Sequence, residues 1–367
     1  MPPLLSRPWL QIAGVALTGR PCNCVIIGNS ARYGGGAFRA TLLGCVVCNN
    51  TAVTGAGARF CILSNCVVFS NAASANGGGG EMCTAYNSIV ASNVAATGSG
   101  GGVWWTPLFN CLVSGNQAGQ NGGGVYGSGG SIINCTVVGN SALNGGGVYN
   151  AALANSIVYY NSATTSNDYS SCTLNYSCAV PKPAGAGNFT NAPMFLDLAG
   201  NDLHLLPSSP CINTGYNPSA PGTLDLDGHP RIDSGTVDVG AYEFQGYSTF
   251  LAWLQSYGLP TNGSANGADT DNDGLNNWQE WVAGTVPTNA TSVLVMASPG
   301  VDIEGVTLTW QSVSGRTYYV ERALALGGQG AFAALETNIL GLPGATSYTD
   351  TNAPMAGPAY YRVGVNP

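Results

Sequence analysis

The stretch "DTDNDGLNNWQE", residues 269–280, places oxygen donors at a spacing that serves one kind of chemistry. Asp269, Asp271 and Asp273 alternate, Gly274 follows at the sharp turn, Leu275 offers its carbonyl, and Asn277 and Glu280 complete the set. A hard cation takes about six to eight oxygens, and a closing Glu supplies two of them, so the loop reads as a Ca2+ site. One such loop suits a stiffening joint better than a sensor.

A second concentration of carboxylates, Asp225, Asp227, Asp233, Asp238 and Glu243, lies near His204 and His229. Such a group could bind a cation or hold a general acid, and Asp–Gly turns of this kind also occur as solvated loops. Glycoside hydrolysis needs two carboxylates facing one bond. Between residues 21 and 167 the charged side chains are Arg32, Arg39, Arg59 and Glu81, which supply no such pair. No GxSxG context points to a nucleophilic serine.

A third set could bind rather than react. Two residues after successive glycine clusters stand Phe38, Arg59, Met82, Trp104, Tyr126 and Tyr149, with Trp105 beside the fourth. If the preceding Val103, Val125 and Val148 point inward, this column faces out, and Trp104, Trp105, Tyr126 and Tyr149 form an aromatic stripe suited to sugars or to a partner surface.

The elements that carry these residues are repeats. The pattern Asn, Cys or Ser, two mostly apolar residues, two variable residues and Asn recurs with its last residue at Asn29, Asn50, Asn71, Asn93, Asn116, Asn140 and Asn161, so the spacings are 21, 21, 22, 23, 24 and 21. One column is β-branched throughout (Ile26, Val47, Val68, Val90, Val113, Val137, Val158), which favours a strand. Two residues before it stand Cys24, Cys45, Cys66, Ser88, Cys111, Cys135 and Ser156, on the same inward face. The chain lacks the recurring leucines of a horseshoe repeat. One coil per repeat of a parallel β-helix follows, with coils about 4.8 Å apart and the terminal Asn of each repeat bonded in a ladder. The thiols fill the core as small hydrophobes. Zinc is unsupported, since no paired CxxC spacing occurs. In-register ladder thiols are too far apart for a disulfide, which wants about 3.8 Å between Cβ atoms, so Cys61–Cys83 and Cys172–Cys178 are the better candidates.

Residues 20–165, with "VFSN" at 68–71 and "GGGV" at 122–125, resemble the right-handed β-helix repeats of polymorphic outer-membrane proteins and autotransporter-like adhesins. Residues 202–244 resemble the closing module of secreted bacterial proteins with interchangeable C-terminal anchors. The acidic loop, with helices expected over 247–259 and 276–284, is similar to dockerin-like or thrombospondin-type calcium linkers, although "GTVPTN" carries Val286 where an Asp would stand. Residues 293–367 alternate like a small sandwich of fibronectin type III or related topology, with Trp310 and Tyr318–Tyr319 as core.

The expected fold is therefore all-β: a right-handed, single-stranded, pectin-lyase-like parallel β-helix over 1–193, a closing module over 194–245, a helix–calcium loop–helix linker over 246–292, and an antiparallel sandwich over 293–367. With 8% charged residues and a net charge of −8, the chain does not suit nucleic acid, and no apolar run is long enough to span a bilayer. The opening "MPPLLSRPWLQIAGVAL" makes a poor signal peptide, so an export signal is expected upstream, in a protein secreted by or displayed on a bacterium. The lack of a catalytic pair in the coils and the aromatic column favour a monomeric, non-catalytic adhesin-like rod that binds an extracellular glycan or surface protein. The alternative is a polysaccharide lyase or glycoside hydrolase with its catalytic groups upstream or within 197–243.

Overall fold

Single residues in the left-handed region turn the chain four times in each coil. In the computed structural model, which describes residues 10–12, 17–127, 131–325, 332–354 and 357–365, strands of two to seven residues meet at these corners. One corner carries Asn23, Gly44, Asn65, Asn87, Asn110, Asn134 and Asn155, another Gly34, Gly55, Gly77, Gly100, Gly122 and Gly145, all with positive φ. Asn and Gly tolerate that conformation best, which explains why Asn, or Gly at 44, precedes each Cys or Ser of the column beside the β-branched residues. The result is a parallel β-solenoid of about seven turns.

One coil shows the plan. Sheet I receives Leu112–Ser114, sheet II Gln117–Ala118, sheet III Val125–Tyr126 and sheet IV Ser131–Ile133. Sheet I has nine strands in parallel register, sheet II has seven, and sheets III and IV join through the strand Ala37–Leu43. The β-branched column is buried along sheet I from Ile26 to Val158, and the inward residues of sheets III and IV, such as Val125 and Ile132, close the same core.

Two ladders run up this core. Asn116 shows the first: its backbone and side-chain N–H groups donate to Oδ1 of Asn140 at 2.9 Å each, and its Nδ2 also reaches the Val90 carbonyl. The pattern runs from Asn29 to Asn161. The third glycine of each cluster lets the coils and the ladder approach, because a Cβ on Gly147 would lie 2.5 Å from the Asp168 carbonyl of the next coil and 2.7 Å from Nδ2 of Asn161. At the last turn Asp168 replaces that glycine, and its Oδ1 accepts the Asn161 bonds that a further Asn would have taken.

The second ladder is the Cys/Ser column, which does more than fill space. The Cys66 N–H donates to Ser88 Oγ, Cys111 to Cys135 Sγ and Cys135 to Ser156 Oγ. Thiol and hydroxyl interchange because both are small acceptors. Burial pushes the Cys66 thiol up to about 12, so it stays protonated. Neither candidate disulfide is formed: all twelve cysteines are free, and the Cys61 N–H donates to the Cys83 sulfur in a third short ladder.

Residues of the segment 193–244 pack along the outer side of sheet I. Phe195, Leu203, Leu205, Ile212, Val239 and Tyr242 pack on the outward Leu112, Val138 and Ile157. The corner asparagines hold this segment: Asn110 donates to Pro221 and Leu224 carbonyls, Asn134 to Asp238 and Asn155 to Tyr216.

The chain folds as two compact units that divide between residues 247 and 248. In the second, α1 (Tyr247–Ser256) and α2 (Asn277–Ala283) meet through Phe250, which lies edge-on to Trp278 at 4.9 Å. Two three-stranded antiparallel sheets follow, with Leu308, Trp310, Tyr318 and Val320 between them. Tyr319, expected in that core, is only half-buried, because strand alternation turns it away from Tyr318. No helix among the described residues is long and apolar enough to cross a membrane.

Candidate metal centre and aromatic face

Two carboxylate groups bring ligand atoms within 4.8 Å of one another, and each could hold a metal ion: Asp269/Asp271/Asp273 and Asp225/Asp227/His229. They differ in what their oxygens already do.

In the first group the loop folds on itself through one oxygen of each Asp. Asp269 Oδ2 accepts from the Gly274 N–H, Asp271 Oδ1 from Asp273 and Asp273 Oδ1 from Leu275. Gly274 takes φ +100°, which side chains resist. Asn276 then starts α2 with a capping box closed by Gln279, and this places Glu280 beneath the loop. Glu280 is fully buried, and Oε2 of Glu280, Oδ2 of Asp271 and Oδ2 of Asp273 have no hydrogen-bond partner among the described residues. Burial pushes the Glu280 carboxyl up to about 7, and the charges of Asp271 and Asp273 add to the rise. Buried unpaired carboxylate oxygens cost free energy unless a cation meets them. Asn277 is placed differently from its neighbours: its side chain is held by Thr270 and Ala265.

In the second group both oxygens of Asp225 and one of Asp227 are taken. Asp225 Oδ1 accepts from Asp227 and His229 N–H groups and Oδ2 from Glu243. Glu243 accepts from Arg231, Asp233 and Asp238, and Asp238 accepts from Asn213 and Phe244. Arg231, 1% exposed, pairs with Glu243 at 3.0 Å and donates to the Ala241 carbonyl. Burial, reinforced by Glu243, pushes the Asp238 carboxyl well upward. Asp227 reaches out to His204, whose ring bridges it and Asp202 at 2.5 Å on both sides and is raised to about 9 by the Asp227 bond first. The network ties residues 202–204 to residues 225–244.

Sheet III carries the aromatic column. Val103, Val125 and Val148 are buried, and Trp104, Tyr126 and Tyr149 face outward in register. Trp104 and Tyr126 stack with centroids 6.2 Å apart, and Tyr126 and Tyr149 at 5.5 Å, each pair within 6° of parallel. The rings therefore turn their faces to one another and their edges to solvent. Trp105 sits at the next corner, 46% exposed and 5.6 Å from Trp104.

Met82 does not belong to the column. Four glycines at 77–80, instead of three, set Gly80 at the inward position opposite Val103, so Glu81 takes the outward place beside Trp104 and Arg59. Met82 turns the corner with φ +48°. Glu81 lies 2.7 Å from Arg59 Nε, and counting from the last inward residue instead of from the glycines would have found it. Comparison with known proteins finds no protein family, no curated protein and no solved structure that matches the chain.

Proposed function

We propose that the chain is a non-catalytic β-solenoid scaffold, secreted or surface-displayed by a bacterium, that binds extracellular glycan along sheet III in the manner of an adhesin. The observation that carries this reading is the outward row Trp104, Tyr126 and Tyr149 with the half-exposed Trp105, held at coil spacing by a rigid sheet. Aromatic edges and one open indole face suit the CH-rich faces and hydroxyls of sugars. In the 225–243 network Asp225, Asp238 and Glu243 accept backbone N–H groups and Asp227 bonds the His204 ring, which favours a structural role for these carboxylates.

In the second unit, Asp269, Asp271, Asp273, the Leu275 carbonyl and Glu280 would hold Ca2+, an oxygen set that fits a hard cation. The ion would supply charge neutralisation and fix α2 to the loop. The antiparallel sheets would then act as an accessory module of fibronectin type III kind.

The test incubates the full chain with immobilised neutral and acidic polysaccharides and scores both retention and new reducing or unsaturated ends. Retention without product, lost in a Trp104→Ala, Tyr126→Ala, Tyr149→Ala variant, is the expected result. Product formation would overturn the non-catalytic reading.

A further inference from the structure

The solenoid's cations are not spread along it. In residues 17–167 the charged side chains are Arg20, Arg32, Arg39, Arg59 and Glu81, in a chain of net charge −8, so the early coils are basic while the chain is acidic. Three of these arginines are joined by rings into one alternating chain. Arg32 lies over Tyr33 at 5.2 Å, Arg59 over Tyr33 at 4.5 Å and over Phe60 at 4.7 Å, and Arg39 over Phe60 at 5.9 Å and Phe38 at 5.4 Å. Registration produces the alternation: "FR" at 38–39 is stacked on "RF" at 59–60, with Phe38 opposite Arg59. Glu81 meets Arg59, while Arg32 and Arg39 are exposed and form no ion pair among the described residues.

The corner at the Arg39–Phe60 end of this chain is built against local preference. Arg39, Phe60, Met82 and Trp105 occupy it in successive coils, all with φ near +50°. The other corners of these coils use Gly, Asn or Ser. Bulky residues held in the left-handed region are conformationally costly, and the inference from such outliers runs toward function. Phe60 and Trp105, 40% and 46% exposed, cannot be explained by core packing.

We propose that this chain, from Arg32 on sheet II to the Arg39 corner, reads the anionic groups of a polysaccharide, with Arg39 and Arg32 as the ligands of its carboxylates or sulfates and the rings between them as their support. A guanidinium stacked on a ring uses its face and leaves its in-plane N–H donors free for a bidentate anion. Stacking also restricts the side chain, so less freedom is lost on binding. The aromatic row from Trp104 continues along the same face toward Tyr149, so sugar rings beyond the anion would meet apolar edges. The proposal rests on the glycan-binding reading above and adds the chemical class of the ligand.

The experiment measures binding of the full chain to alginate (carboxylated), dextran sulfate (sulfated) and dextran (neutral) over a range of salt. The wild type is expected to prefer at least one polyanion to dextran, with affinity falling as salt rises. Arg39→Asn is the informative variant, because Asn accepts the left-handed corner more readily than Arg. It should unfold at the same or a higher temperature yet bind the polyanion roughly tenfold more weakly, and Arg32→Gln should weaken it further. The alginate and dextran sulfate arms distinguish carboxylate from sulfate recognition. Equal retention on dextran and both polyanions, or polyanion binding untouched by Arg39→Asn and Arg32→Gln, would overturn this inference and leave the scaffold reading standing. Absence of retention on all three polymers would overturn both.

Discussion

The segments 225–243 and 269–280 are both crowded with carboxylates, and they use them in opposite ways. Around Arg231 the oxygens of Asp225, Asp238 and Glu243 accept backbone N–H groups, so the acids replace regular secondary structure as the cement of an irregular segment. In the loop before α2 each Asp spends one oxygen on the turn, and Asp271, Asp273 and Glu280 retain a buried oxygen without a partner. Acidic density alone therefore does not mark a site. What marks it is an oxygen that the fold has desolvated and not satisfied.

This contrast can be broken at several points. The largest effect is expected at Arg231: Arg231→Met leaves Glu243 and Asp238 buried without their cation and should cost about 3–5 kcal/mol in denaturant unfolding of the first unit. Ca2+ uptake by that variant should be unchanged while the second unit stays folded. Asn116→Ala orphans the Asn93 N–H groups and the Val90 carbonyl together, and about 3 kcal/mol is expected from several lost buried bonds at roughly 1 kcal/mol each. A loss below about 1 kcal/mol would mean that water replaces the ladder. Calcium at about a hundred times its dissociation constant should stabilise the second unit by about 2.7 kcal/mol, seen as a higher melting temperature that chelator reverses. The smallest effect concerns His204. Its folded-state pKa, about 9, lies above the unfolded value of 6.5, so its contribution is fully present below pH 6.5 and is lost as pH rises through 9. His204→Asn should flatten that slope between pH 6.5 and 9, and an unchanged slope would assign it to another group.

Much of the solenoid was legible because its constraints repeat. A column that is β-branched seven times, and an Asn that returns at nearly fixed spacing, can be satisfied by few folds. The same regularity hid the exceptions. The fourth glycine at 77–80 shifted the outward column by one, putting Glu81 where Met82 was expected. The alternation of Phe38, Arg39, Arg59 and Phe60 depends on which residue turns each corner, and no local pattern states this. The acidic loop was legible as a motif because its oxygen-bearing residues are close in sequence, whereas the orphaned oxygen of Glu280 follows from burial, which spacing does not encode. The bonding of Asn110, Asn134 and Asn155 to residues a long way down the chain had no signal at all, since the same asparagines serve as ordinary corners in the earlier coils.

The most direct test of the central contrast is a calorimetric titration of CaCl2 into the full chain, the Glu280→Gln variant and the Asp227→Asn variant. The account predicts a single site in the wild type, weakened by roughly tenfold or more in Glu280→Gln and unchanged in Asp227→Asn. No binding by the wild type, or binding lost with Asp227→Asn and kept with Glu280→Gln, would contradict it.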